Sequence, residues 1–412
     1  MNGHKSQPGF GEFVALMAMM MSLAALSIDM MLPALPEIGR DLGVQGPNDT
    51  QLVISLLFLG FAVGQIFYGP LSDNKGRKST VYLGFGLVVV GSVCALFAPS
   101  FPVMLLGRFL QGLGVAGPRT IVLALVRDRY EGRTMARVMS FVMAVFIMAP
   151  VVAPAMGQAI MVLAGWRAIF GFYLGLVLVV SLWFGLRQPE TLATDRRIPF
   201  RRERIVRAVR EVLGNRVSFG YTLAAGLIFG SFIGYLNSSQ QIFQEQYGLG
   251  PLFPLYFGIG ALSLGCASFL NATLVMRHGM RPLVLRALKS MSGISVVFLA
   301  IAYALAGHPP LWLFMGYMLI VFFCSGILFG NLNALAMAPM GHIAGTAAAV
   351  IGSLSTFLSL VLGTAVGQAY NGTVLPLVLG FAVFGVASLA VVHWIERETS
   401  EPESTETVSI ED

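Results

Sequence analysis

Apolar residues in this chain gather in long blocks, and polar residues fall mainly between the blocks. The blocks are runs of Leu, Val, Phe, Met, Ala and Gly about twenty residues long, the length of helix that crosses a hydrocarbon core of roughly 30 Å. They lack the ten-residue alternation that marks a membrane barrel strand. Lipid offers the backbone no hydrogen-bond partner, so a spanning segment is either a helix or part of a closed barrel. Continuous blocks therefore predict helices. Twelve are expected, over 13–36, 50–70, 79–98, 101–125, 136–164, 167–187, 217–239, 251–275, 282–305, 310–338, 342–369 and 374–395. The polar breaks are shortest around the fifth, tenth and eleventh.

Composition agrees. Hydrophobic residues make up 56% of the 412 and charged residues 11%, against about a quarter charged in soluble domains. So few charges could not cover a water-facing surface. The net charge of +6 would suit a nucleic acid, but its distribution gives a plainer explanation. Lys75, Arg77 and Lys78 follow span 2; Arg127, Arg129, Arg133 and Arg137 follow span 4; Arg277 and Arg281 follow span 8. The densest set runs from Arg187 to Arg216, after span 6, while the alternate connections hold only Arg40 and Arg167. Basic loops stay on the cytoplasmic side, which puts both termini there. No nucleic-acid partner is expected. Met1 to Glu12 is polar and Gly-rich, and the apolar run after it is long enough to span, so no cleavable signal peptide is expected.

Residues 188–216 separate six spans from six, giving an N-terminal bundle over 1–187 and a C-terminal bundle over 217–395. Within this linker, Arg201 to Leu213 is compatible with a surface helix carrying snorkelling arginines. The acidic, Ser/Thr-rich stretch 396–412 reads as a disordered tail. Cys94, Cys266 and Cys324 sit in apolar runs and read as small buried hydrophobes rather than disulfide partners. His4, His278, His308, His342 and His393 are scattered, so no metal site and no cofactor are expected.

Three stretches carry a more specific pattern. Between spans 2 and 3 stands Gly69-Pro-Leu-Ser-Asp73-Asn-Lys-Gly76-Arg77-Lys78. Gly69 permits close helix approach, Gly76 a tight turn, Asp73 can cap a helix N-terminus, and Arg77 can pair with a carboxylate. Span 4 holds Arg108-Phe-Leu-Gln111-Gly112-Leu-Gly114-Val-Ala116, and span 5 holds Pro150, Pro154 and Gly157. The first stretch resembles the signature loop of the major facilitator superfamily, departing at Asn74, where Arg is usual. The second resembles the superfamily's proton-coupling motif. The third is similar to the antiporter motif of its drug exporters, with Ala149-Pro150 in place of Gly-Pro. With Ser27-Ile-Asp29 and Pro33 on span 1, the N-terminal half resembles the bicyclomycin/chloramphenicol-resistance branch of drug:proton antiporters. The resemblance implies two pseudo-symmetric six-helix bundles around a central cavity, and Arg77 meeting Asp128 at the end of span 4.

Ionisable residues within spans are costly and point to function. Asp29, Arg108 and Arg119 are the clear cases. Helix rise puts Asp29 and Arg108 each roughly 10 Å below the outer surface, so both are expected to face one cavity. Burial opposes ionisation of a carboxyl and a nearby arginine favours it, so such a site can respond to its occupant. Asp29 is thus the expected proton carrier, with Arg108 tuning it; the plainer alternative is a static pair that fixes helix packing. Arg119 is either a second cationic cavity residue or a snorkelling one. Tyr235, Asn237, Gln241 and Asn331 are the expected cavity residues of the C-terminal half. Gly60 and Gly64 form a GxxxG suited to close helix packing.

The expected activity is proton-coupled export of small amphipathic drugs by a monomer in the lipid bilayer. Transport of a metabolite on the same scaffold is the alternative. Neither a nucleophile–base set nor a nucleotide-binding loop suggests an enzyme or an ATP-driven pump.

Overall fold

The computed structural model describes residues 8–399, which are almost entirely helical. In chain order the helices are α1 (Phe10–Asp29), α2 (Leu35–Asp41), α3 (Leu52–Lys75), α4 (Arg77–Leu96), α5 (Phe101–Arg129), α6 (Gly132–Arg187), α7 (Arg202–Gly214), α8 (Arg216–Gln240), α9 (Phe253–His278), α10 (Met280–Ala304), α11 (Leu311–Met337), α12 (Ala344–Gln368) and α13 (Leu375–Thr399). Ten apolar helical stretches are long enough to cross a membrane, and two of these, of 56 and 58 residues, are about twice the length of the others. The first is α6, which breaks at Gly165, whose φ of 76° belongs to the left-handed region. The second joins α11 to α12 through a 3₁₀ turn over Ala338–Ile343. Divided at these breaks, the described residues hold twelve apolar helical stretches, in keeping with twelve crossings.

Several boundaries differ from the sequence pattern for local reasons. The first span ends its α-helix at Asp29 and continues as a 3₁₀ turn, Leu32–Ala34, and then α2. Pro33 has no N–H to give the Asp29 carbonyl four residues earlier, so the helical ladder stops there. α8 passes into a π-helical turn over Gln241–Gln246. Glu396 and Arg397, expected in a disordered tail, belong to α13; residues 400–412 lie outside the described residues. Cys324 is buried, but Cys266 is exposed on the helix surface, contrary to the expectation for all three cysteines.

Both halves pack by one scheme. α3 lies on α5 as α9 lies on α11; α1 lies on α6 as α8 lies on α12; α4 lies on α6 as α10 lies on α13. The closest approach uses two glycines. A Cβ on Gly60 would stand 2.0 Å from the Phe109 carbonyl oxygen, and one on Gly112 would stand 1.9 Å from that of Leu57. Without side chains there, the backbones of α3 and α5 touch, the main attraction open to helices in lipid. The halves meet along α3 and α12, between α6 and α9, and where α8 touches the 3₁₀ turn after α1. α7 lies across the ends of α8 and α12, burying Ala208 and Val212 and exposing Arg202, Arg204, Arg207 and Arg210.

Candidate functional site

Asp29 is the last residue of α1, and only 4% of it is exposed. Its carboxylate has no hydrogen bond or ion pair with any described residue. α6 is pressed onto the adjoining break: a Cβ on Gly157 would stand 2.0 Å from the Met30 carbonyl oxygen. Pro154, one turn earlier, is buried, and Pro150 is partly so. Across the interface, the Tyr235 hydroxyl lies within electrostatic reach of Asp29. Tyr235 itself sits in an aromatic cluster, edge-on to Phe322 at 4.7 Å and stacked on Phe257 at 5.5 Å.

Arg108 shares the level of Asp29 but does not pair with it. Its Nε donates to the Val53 carbonyl at 3.0 Å, Nη1 to Gln111 Oε1 at 2.7 Å, and Nη2 to the Ser27 carbonyl at 2.8 Å. Gln111 in turn donates to Ser92 Oγ at 2.8 Å. One guanidinium fork thus joins the first, second and fourth spans, and the glutamine extends the tie to the third. Arginine is suited to this because its five donors are held in one rigid plane. The residue is 1% exposed, so the expectation that it faces a cavity beside Asp29 is corrected: its donors are occupied by neutral oxygens within the bundle.

Arg119 stands differently. Its guanidinium lies over Phe61 at 4.9 Å and over Phe146 at 5.5 Å, without a hydrogen bond or ion pair to a described residue. Asn237 and Gln241, expected to line a cavity, are instead part of a seal between the halves. Gln51 Nε2 donates to Gln241 Oε1 at 2.5 Å, and Gln241 Nε2 donates to Asn48 Oδ1 at 2.9 Å and to the Pro47 carbonyl at 3.0 Å. Asn48 Nδ2 reaches the carbonyls of Gln368 and Tyr370, each at 2.9 Å. Asn237 donates to Ser55 Oγ at 3.4 Å and to the Gly363 carbonyl at 3.2 Å, and Ser55 meets Thr364 at 2.9 Å. Asn331 pairs with Asn271 at 2.7 Å inside the C-terminal half, so it too is committed to packing.

At the other end of the bundles, Arg77 bridges Asp73 at 2.5 Å and Asp128 at 3.1 Å. Gly76, with φ of 100°, makes the turn between α3 and α4. The N-terminus of α4 is not capped by Asp73, as the sequence suggested, but by Glu190 of the linker. Its carboxylate accepts from the backbone N–H groups of Arg77 and Lys78 at 2.9 and 3.0 Å. Thr191 donates to Asp128 at 2.8 Å, so the linker holds both sides of the loop. Gly69 has less need to be glycine than its pattern suggested, since a Cβ there would meet Ala349 Cβ at an ordinary 3.8 Å.

The family model of the Major Facilitator Superfamily matches residues 17–364. The chain belongs to the major facilitator superfamily. As a member of it, the protein is a multi-pass membrane transporter. It is 31% identical over 360 residues to the uncharacterized MFS-type transporter YdgK of Bacillus subtilis (strain 168), covering 85% of this chain and 87% of that one. It is 28% identical over 395 residues to a bicyclomycin resistance protein homolog of Haemophilus influenzae, with 93% and 96% covered. Multidrug resistance protein D of Escherichia coli (strain K12) is 24% identical over 404 residues, with 94% and 96% covered. The human organic anion transporter MFSD10 shares the fold, with a TM-score of 0.69, 17% identity and coverage of 94% and 100%.

The seal between the halves was largely missed in the sequence. Asn48, Gln51, Ser55 and Thr364 are single polar residues in or beside apolar runs, and of the seal's members Asn237 and Gln241 were expected, but as cavity residues. A lone amide near a helix end gives no hint of its partner when that partner lies some 190 or 320 positions away. Glu190 escaped notice because it lies in a linker rich in charge.

Proposed function

We propose that the protein exports small amphipathic molecules across a bacterial inner membrane in exchange for protons, with Asp29 as the proton carrier. The observation that carries this reading is the buried carboxylate at the break in α1, without a hydrogen bond or ion pair among the described residues, beside a turn on which α8 of the opposite half packs. An ionised carboxylate in a low-dielectric setting is costly unless something compensates it. Here that something is either a proton or a hydrogen-bond donor on the cargo, and competition between the two is the elementary logic of exchange. The relatives named for bicyclomycin and multidrug resistance support export as the direction.

The inter-half contacts support a rocking cycle. The amide seal links Asn48, Gln51, Gln241 and Gln368 at one end, whereas the Asp73–Arg77–Asp128 loop lies at the other. In the orientation given by the basic loops, the seal closes the outer side. Opening it separates the halves at the level of Asp29 toward the outside, where protons are taken up. Two buried acceptors in the seal, Gln51 Oε1 and Asn237 Oδ1, have no hydrogen-bond donor among the described residues. Such an interface is held less tightly than a saturated one.

The test is flux into proteoliposomes under an imposed pH gradient, with wild type beside Asp29→Asn. The variant is expected to retain its elution profile and thermal stability while losing gradient-driven transport. Undiminished gradient-driven flux through Asp29→Asn would overturn the assignment.

A further inference from the structure

Two arginines lie within the membrane-spanning part of α5, and the protein treats them in opposite ways. Arg108 has every branch of its guanidinium bonded to oxygen. Arg119, eleven residues further along the same helix, has neither a carboxylate nor a hydrogen-bond acceptor among the described residues. It is also not sealed off: Arg119 is partly exposed, and none of its nitrogens is among the fully enclosed unpaired atoms. Arg129, the last residue of α5, lies ten positions on, so Arg119 sits about 15 Å from that helix end.

Its position is fixed by rings. Phe61 of α3 and Phe146 of α6 approach the guanidinium from two helices, at 4.9 and 5.5 Å. Cation–π contact of this kind orients the cation and gives partial compensation, but ring faces accept none of its five N–H bonds. A partly buried cation within a membrane span, with its N–H donors left open, is costly. One turn from Phe61, Phe58 meets Phe229 of the opposite half edge-on at 6.2 Å, and Phe229 continues into Phe232 and Phe329. An open cationic fork thus stands beside an aromatic surface that bridges the two halves.

We infer that Arg119 is the anion-recognising group of the transport site, and that the preferred cargo is an amphipathic monoanion with an aromatic body. This rests on the reading of the protein as an exporter of small amphipathic molecules. A carboxylate or sulfonate on the cargo completes the guanidinium's bonds in the fork geometry that arginine favours, while its ring system packs on Phe61, Phe58 and Phe229. Asp29 lies at the level of Arg108, about 16 Å away along the helix axis, so proton carrier and anion fork do not occupy the same space.

The experiment is equilibrium binding to the purified full-length protein in detergent, without any pH gradient. The probes are 2-naphthoate, its neutral isostere 2-naphthamide, and a naphthylmethyl trimethylammonium cation. Wild type is expected to bind naphthoate at least 10-fold more tightly than either of the others. Arg119→Gln is expected to remove that preference by bringing naphthoate affinity down to that of naphthamide, and Arg119→Lys to retain part of it. Equal affinity of wild type for naphthoate and naphthamide would overturn the inference, even if no Arg119 variant folds. So would a preference for naphthoate that survives in folded Arg119→Gln. Asp29→Asn is expected to keep the naphthoate preference, so a failure of proton coupling and a failure of anion recognition appear in different measurements.

Discussion

Replacing Gly157 by alanine tests the contact on which the geometry around Asp29 depends. The added Cβ would stand 2.0 Å from the Met30 carbonyl oxygen, and real Cβ atoms essentially never come closer than 3.0 Å to such an atom. Both partners are backbone, so neither can rotate away. α6 must therefore retreat from the break in α1 by about 1 Å or more, given that closest approach. Overpacking of this kind costs about 1–3 kcal/mol. Alanine's better helix propensity returns up to about 1 kcal/mol. The net expectation is a destabilisation of about 1–2 kcal/mol, or a fall in apparent melting temperature of roughly 2–8 °C at 2–4 °C per kcal/mol for a large domain. Gly69→Ala is the matched control. Its Cβ meets Ala349 at 3.8 Å, so propensity should act alone and the melting temperature should hold or rise slightly. The assay is thermal unfolding of the purified proteins in one detergent at one scan rate, because membrane proteins unfold irreversibly and their midpoints depend on rate. A Gly157→Ala variant that melts at or above wild type would refute the close approach of α6 to α1.

Two further outcomes follow from the ends of the bundles. Glu190→Ala removes the acceptor for the first N–H groups of α4 and should cost about 0.5–2 kcal/mol. Limited trypsin digestion should then cut more quickly between Arg196 and Arg202, and an unchanged rate would count against the clamp. The double change Gln51→Leu with Gln241→Leu deletes the shortest bond of the amide seal between the halves. In a background without the three native cysteines, maleimide labelling of Ser55→Cys should increase several-fold, and unaltered labelling would mean that these amides do not hold the halves together.

The loop between α3 and α4 shows what a short pattern can and cannot say. Its turn was legible because Gly76 alone can take the required φ, and its ion pair was legible because Arg77 needs a carboxylate. The cap on α4 was not, since Asp73 and Glu190 are chemically alike and only the path of the linker decides which one reaches Arg77 and Lys78. The same limit applied to Asp29 and Arg108. Helix rise gave their common level, because depth depends only on counting residues along an axis. Their lateral separation depends on how the helices rotate, and there Arg108 turned to Val53, Ser27 and Gln111 instead.

The sequence by itself determined that the chain is a bundle of membrane-crossing helices, because lipid leaves the backbone of a long apolar run no other way to satisfy its hydrogen bonds. It also determined where most of those helices break, through proline, glycine and clustered charge. Only the tertiary structure decided which interior polar groups are already bonded and which stand open. Arg108 and Arg119 are the same residue type on the same helix, and their difference lies in neighbours up to 81 positions away. A buried donor takes whatever acceptor packing brings within about 3 Å, and that is a property of the assembled bundle, which no local pattern contains.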